Sequence, residues 1–135
     1  MHGEINLQKL IQEMKPQLND GEFVYCTVPA QADAMHLNPL CIFLEQESVT
    51  VILSKNIADK AGLPYPSVCA WITLTIHSSL EAVGLTAAVS RALTDANISC
   101  NMVAAFYHDH VFVPMKDAER AMDVLHSLTG SHHEQ

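Results

Sequence analysis

The residues best suited to recognising a small molecule form the run Ser78-Ser79-Leu80-Glu81-Ala82-Val83-Gly84, directly ahead of an amphipathic stretch. The first N–H groups of a helix have no partner inside it and lie at the positive end of its dipole, so such an entrance attracts a carboxylate. Gly84, without a side chain, lets a ligand come close to the backbone. A free amino acid or similar small zwitterion brings that carboxylate, and its ammonium needs an acidic partner, which Glu81 or Asp109 could supply. The same residues also have a purely structural reading. Ser78 and Glu81 match the S-x-x-E capping box, in which hydroxyl and carboxylate satisfy the helix's own N–H groups, and Gly84 then only relieves a tight bend.

A second group of candidates is His108-Asp109-His110. Side chains two apart on a strand point the same way, so both imidazoles could meet one metal ion, with His77 as a third ligand for a metal-dependent enzyme. Against this stands the lack of any helical H-x-x-x-H or paired-cysteine spacing. Glu45 and Glu47 beside Ser48 form a carboxylate pair, but at a hairpin tip such a pair is ordinarily a solvated feature. G-x-S-x-G, the phosphate-binding glycine loop and H-E-x-x-H are all missing, so neither catalytic residues nor a cofactor are assigned.

The elements that must position these groups follow from the apolar spacing. Leu85, Ala88, Val89, Ala92, Leu93 and Ala96 recur at i, i+3, i+4 and i+7, which predicts a helix with one buried face. It ends by about Ala96, where Asn97 tolerates a left-handed backbone and Ile98 folds back on the last turn. Before it, Val68, Ala70, Ile72, Leu74 and Ile76 alternate with Cys69, Trp71, Thr73, Thr75 and His77 as a strand. Trp71 and Thr73 fall on its polar face, where they line a pocket or a subunit contact if they are not core. After it, Ile98 to Tyr107 and His110 to Val113 read as a hairpin turning at His108 and Asp109. A second helix carries Ala118, Ala121, Met122, Leu125 and Leu128 inward, between Asp117 and Gly130.

The first half repeats this order in eroded form. Leu7, Leu10, Ile11 and Met14 mark a helix that Asn6 caps and Pro16 stops. Phe23 to Val28 is a strand, Ala30 to Pro39 a surface loop with a helical turn, and Leu40 to Leu44 and Val49 to Leu53 a hairpin around Glu45-Gln46-Glu47-Ser48. Asn56 starts a brief helix closed by Gly62, and Leu63-Pro64-Tyr65-Pro66 is the linker. A half of about 65 residues can barely bury a core alone, so the two halves are expected to pair.

Val83-Gly84-Leu85, the helix closing on Ala96-Asn97-Ile98-Ser99, and the hairpin followed by a second helix resemble an ACT domain, the βαββαβ amino-acid-sensing module of metabolic enzymes. More narrowly, SSLEAVGLTAAVS and NMVAAFYHDHVFVP resemble small bacterial proteins built from an aspartate-kinase-like pair of ACT domains, whose relatives include cytosolic arginine sensors. The resemblance implies an α+β ferredoxin-like fold with mainly antiparallel sheets and helices on one face. It implies a degenerate unit at residues 1–64 with an extra N-terminal helix and an ACT domain at 67–129; the polar residues 130–135, with His132 and His133, read as a disordered tail. It places a ligand against Val83, Gly84, Leu85, Ser99 and Asn101 in paired units, with Asp109 accepting from a cationic side chain.

Many such ligand loops carry aspartate and proline before the glycine, whereas this chain has Ala82-Val83, so the polar contact passes to Glu81. With no true helix in the first unit, about one site per chain is expected. The function implied is a non-catalytic regulatory sensor that forms homo-oligomers. The alternative is an assembly module with a vestigial site, serving a metabolic enzyme or transporter.

Composition agrees with a folded domain. The 135 residues are 49% hydrophobic and 16% charged, with a formal net charge of −8, a sign that disfavours phosphate backbones and anionic membrane surfaces. No basic leader or apolar run of membrane-spanning length is visible, and Cys26, Cys41, Cys69 and Cys100 form no CxxC pair. Buried, reduced thiols and a cytoplasmic location are therefore expected.

Overall fold

A computed structural model describes residues 3–76 and 83–130. In chain order the elements are α1 (Gly3–Glu13), β1 (Lys15–Leu18), β2 (Phe23–Val28), α2 (Gln31–Met35), β3 (Cys41–Leu44), β4 (Val49–Ser54), α3 (Lys55–Lys60), β5 (Cys69–Thr75), α4 (Leu85–Asp95), β6 (Asn101–Ala104), β7 (His108–Pro114) and α5 (Ala118–Thr129). Contacts divide them into two compact units, Met1–Asn19 with Trp71–Gln135, and Asp20–Ala70. The division by contact thus differs from a division along the sequence at residues 64–67. It falls inside β5, and α1 and β1 belong with the C-terminal elements.

In the unit Asp20–Ala70 the strand order is β3-β4-β2. β2 pairs antiparallel with β4 from Phe23↔Ser54 to Val28↔Val49, and β3 with β4 from Cys41↔Ile52 to Leu44↔Val49. Period-two alternation puts Val24, Cys26, Val28, Val49, Val51 and Leu53 on one face. There they cluster with Ala34 of α2 and Ala58 of α3. The short α2 occupies the segment expected as a loop with a helical turn. α3 starts after Ser54 rather than at Asn56, and Gly62 follows it in the left-handed region at φ +71°.

In the other unit the order is β1-β5-β7-β6. β1 pairs antiparallel with β5 from Lys15↔Thr75 to Leu18↔Ile72, and β6 with β7 from Asn101↔Phe112 to Ala104↔Asp109. A βαββαβ unit needs a fourth strand beside its first, and here β1, from the start of the chain, fills that place. The sequence gives no apolar alternation at Lys15-Pro16-Gln17-Leu18, so this strand is not predicted. Pro16 is tolerated because a strand with a neighbour on one side only need not donate every N–H. α1 begins at Gly3, ahead of the expected cap at Asn6.

Ile72, Leu74, Leu85, Val89, Leu93, Ile98, Val111, Val113, Ala121 and Leu125 are buried in this unit. Each large aliphatic side chain buried this way contributes about 1.5–3 kcal/mol. Both units have antiparallel ladders with helices packed on them, the α+β ferredoxin-like layout.

The ends of α4 and α5 form as their sequences predict. Asn97 has φ +61°, and the N–H groups of Asn97 and Ile98 donate to the carbonyls of Thr94 and Leu93 at 2.8 and 2.9 Å. This pair of bonds is the Schellman closure, completed by burial of Ile98. α5 ends at Gly130 with φ +82°. The hairpin turn lies earlier than expected. The N–H of Ala105 donates to the carbonyl of His108 at 3.0 Å, so Phe106 and Tyr107 form the turn and are each 77% exposed. His108 and Asp109 stand in β7.

Candidate functional site

Gly84 is the N-cap of α4, with φ +98° and ψ −14°, and no side chain among the described residues caps the helix. Its carbonyl accepts from the N–H of Ala88 at 2.9 Å, the first bond of the helix. The amides of Leu85, Thr86 and Ala87 precede that bond and form the helix entrance. A capping box needs its hydroxyl at the N-cap and its carboxylate three residues on, positions that Gly84 and Ala87 occupy. The expected box at Ser78 and Glu81 therefore does not span the first turn of α4. Ser78, Ser79, Glu81 and His77 lie outside the described residues.

The glycine has a structural cause as well. A Cβ built on Gly84 would meet Cδ2 of Leu7 at 2.8 Å, so α1 approaches the mouth of α4 at this point. Val83 beside it is 86% exposed, while the Leu85 side chain is buried, leaving only the Leu85 backbone for a ligand. The remaining candidates lie elsewhere in the unit. α4 is 11 residues long, about 16 Å at 1.5 Å per residue, and Ser99 and Asn101 follow its far end. Asp109 pairs with Ala104, and Asn101 with Phe112, which puts Asn101 and Asp109 at opposite ends of the β6–β7 hairpin. Val83, Gly84 and Leu85 are therefore contiguous, whereas Ser99, Asn101 and Asp109 are not gathered with them within the unit.

On β5 and β7 the polar face holds a hydrogen-bonded group that the spacing alone only half reveals. The indole Nε1 of Trp71 donates to Nδ1 of His110 at 3.0 Å, and Thr73 Oγ1 lies 3.3 Å from the same nitrogen. Asn19 Nδ2 donates to Thr73 Oγ1 at 2.9 Å and to the Trp71 carbonyl at 3.2 Å. An indole N–H can only donate, so Nδ1 of His110 must be the acceptor and the ring is neutral with its proton on Nε2. Burial holds the His110 pKa below its ordinary value, the His108 charge adds to this and Asp109 opposes it. Burial raises the Asp109 carboxyl, with His110 opposing. Trp71 and Thr73 are legible as a polar strand face, whereas their partners Asn19 and His110 come from segments 52–54 and 37–39 residues away, which local spacing does not connect to β5.

The metal reading gains no support from this geometry. The His108 and His110 rings stand 6.4 Å apart at 87°, but Nδ1 of His110 is engaged by Trp71. Among the described residues no three His, Cys, Asp or Glu side chains are placed to hold an ion. Cys26 and Cys69 are buried and Cys41 and Cys100 partly so, and burial raises the thiol pKa of Cys26, Cys69 and Cys100.

An ACT-domain family model matches residues 2–70 and a second ACT-domain model matches residues 67–127. The chain belongs to the ACT-domain family, whose modules serve regulatory ligand binding. A protein of unknown function from Vibrio cholerae, described as a possible transport protein, is 41% identical with a TM-score of 0.86, covering 94% of this chain and 98% of that one. The regulatory subunit of aspartate kinase from Thermus thermophilus, in a ligand-free form, is 11% identical with a TM-score of 0.63, covering 84% and 97%. Aspartokinase III of E. coli, in complex with aspartate and ADP, is 16% identical with a TM-score of 0.59, covering 85% of this chain and 32% of that one. The two kinase structures share the fold. No curated protein matches the chain in sequence.

Proposed function

We propose that this protein is a non-catalytic regulatory sensor that binds a free amino acid or similar small zwitterion at the entrance of α4. The observation that carries the reading is the left-handed Gly84 N-cap, which contributes no side chain to the first amides of the helix. A ligand carboxylate suits those amides both by hydrogen bonding and by the helix dipole. Glu81 and Asp109 are the candidate acceptors for its cationic groups. Ser99 and Asn101, at the far end of α4, reach such a ligand from a second copy of the chain, so the reading includes a homodimer. Among the described residues no helix is long and apolar enough to cross a membrane, and the reading places the sensor in the cytoplasm.

The test is a thermal-shift panel of the twenty free amino acids on the full chain. A ligand held at one hundred times its dissociation constant stabilises the folded state by about 2.7 kcal/mol, a shift of several degrees. No response to any member of the panel sinks the sensor. A second reading, an assembly module with a vestigial site for a metabolic enzyme or transporter, is favoured by the Leu7 contact, which explains Gly84 without a ligand. Replacing Gly84 separates the two: loss of ligand response with unchanged oligomer size supports the sensor, and a change of oligomer size alone supports the module.

A further inference from the structure

Apart from Gly84, a cavity of about 510 Å³ opens where α1 ends, β1 begins and α5 ends, walled by Glu13, Met14, Lys15, Thr75, His126 and Thr129. This volume lies within the range of small-molecule sites. Met14, 3% exposed, gives it an apolar floor. The register Lys15↔Thr75 makes those two residues cross-strand neighbours on one wall.

The charge pattern of the cavity defines its ligand. Glu13 is the last residue of α1 and Thr129 the last of α5, so the C-terminal ends of two helices meet there. Each such end carries about half a negative charge, and at α5 the carbonyls of His126 and Ser127 already accept from the N–H of Gly130, so the α5 end acts through its dipole. Glu13 adds a full negative charge, and Lys15 opposes it with one positive charge. With His126, the other titratable residue of the wall, counted as neutral, the sum favours a cation, which is the reverse of the field at the mouth of α4. Thr75 brings a hydroxyl within the same walls, and the Thr129 hydroxyl, which donates to the His126 carbonyl at 2.9 Å, retains acceptor capacity on its oxygen.

We infer that this cavity binds a small organic molecule through an ammonium or guanidinium group seated by Glu13 and the two helix C-termini. Lys15 decides whether the ligand carries a neighbouring carboxylate. A bare diamine meets repulsion from Lys15, whereas an amino acid with a basic side chain satisfies Lys15 and Glu13 together. The inference does not depend on the reading of Gly84.

The experiment is a titration of the isotope-labelled full chain by two-dimensional amide NMR with putrescine, L-lysine and, as an anion control, acetate. Saturable shifts at Lys15, Thr75, His126 and Thr129 are expected with putrescine or L-lysine. Glu13→Gln should weaken binding about tenfold, the usual worth of one charge-assisted hydrogen bond. Lys15→Gln should weaken L-lysine and strengthen putrescine. The spectra of both variants report at once whether they fold, and Glu13 and Lys15 are exposed. Binding of putrescine alone identifies an amine ligand, and preference for L-lysine a zwitterion. The inference is overturned if neither cation gives saturable shifts at these residues, if acetate reproduces them, or if Glu13→Gln leaves affinity unchanged. Signals of Gly84 and Leu85 in the same spectra report the other site, so the two readings fail separately.

Discussion

The indole N–H of Trp71 and Nδ1 of His110 are joined by a 3.0 Å hydrogen bond that exists only while the imidazole is neutral. Proton uptake on Nδ1 would set donor against donor at Trp71, while the Thr73 hydroxyl at 3.3 Å would turn from donor to acceptor. Burial depresses the His110 pKa below 6.5. As pH falls, the unfolded chain therefore takes up this proton before the folded one does. The stability contributed by neutral His110 is complete above about pH 6.5, the ordinary histidine value, and is lost between that pH and the lower folded value. Asp109 acts in the opposite sense at lower pH, because burial raises its carboxyl above 3.8 and the folded state binds that proton first.

Trp71 is the one tryptophan of the sequence, which makes the bond directly observable. Emission should titrate below pH 6.5 in the native protein. His110→Gln keeps an acceptor for the indole and removes the ionisation, so its emission should stay flat over the same range. A transition that persists unchanged in that variant would assign it to another group.

Gly84→Ala is expected to destabilise the protein by about 1–2 kcal/mol through the left-handed backbone alone, with a further loss from the contact with Leu7. Urea unfolding of Gly84→Ala, Leu7→Ala and the double variant separates the two causes. In the double variant the side-chain conflict disappears while the backbone cost stays, so the combined loss should be smaller than the sum of the single losses. Strict additivity would show that the Cβ does not meet Leu7.

Which features can be read from the sequence depends on how local their causes are. The end of α4 at Asn97 and Ile98 and the end of α5 at Gly130 need only the residues of one turn, and both form as their sequences predict. The alternation of β5 is equally plain, because its apolar side chains repeat every second residue over the whole strand. β1 is hidden because Lys15-Pro16-Gln17-Leu18 has no such period and becomes a strand only through its pairing with the distant β5. The hairpin turn is displaced because Phe106 and Tyr107 have strand propensity, whereas His108 and Asp109 are polar yet half-buried in the ladder. At the candidate site the special backbone of Gly84 is legible, but the Leu7 side chain that fills its Cβ position comes from the other end of the sequence.

Asn97 offers a test in which the sign of the effect differs between two small substitutions. Its φ of +61° is one that asparagine tolerates and glycine adopts freely. Asn97→Gly should therefore leave stability within about 0.5 kcal/mol of the native protein or raise it slightly, the gain at the left-handed site being offset by the greater freedom of glycine in the unfolded chain. Asn97→Ala keeps the backbone N–H that donates to Thr94 but places a Cβ in the disfavoured region, at a cost of about 1 kcal/mol. Urea midpoints with unchanged slopes measure both. If alanine proved as stable as glycine at this position, the closure of α4 would not depend on the left-handed residue, and the placement of Ile98 over its last turn would need another cause.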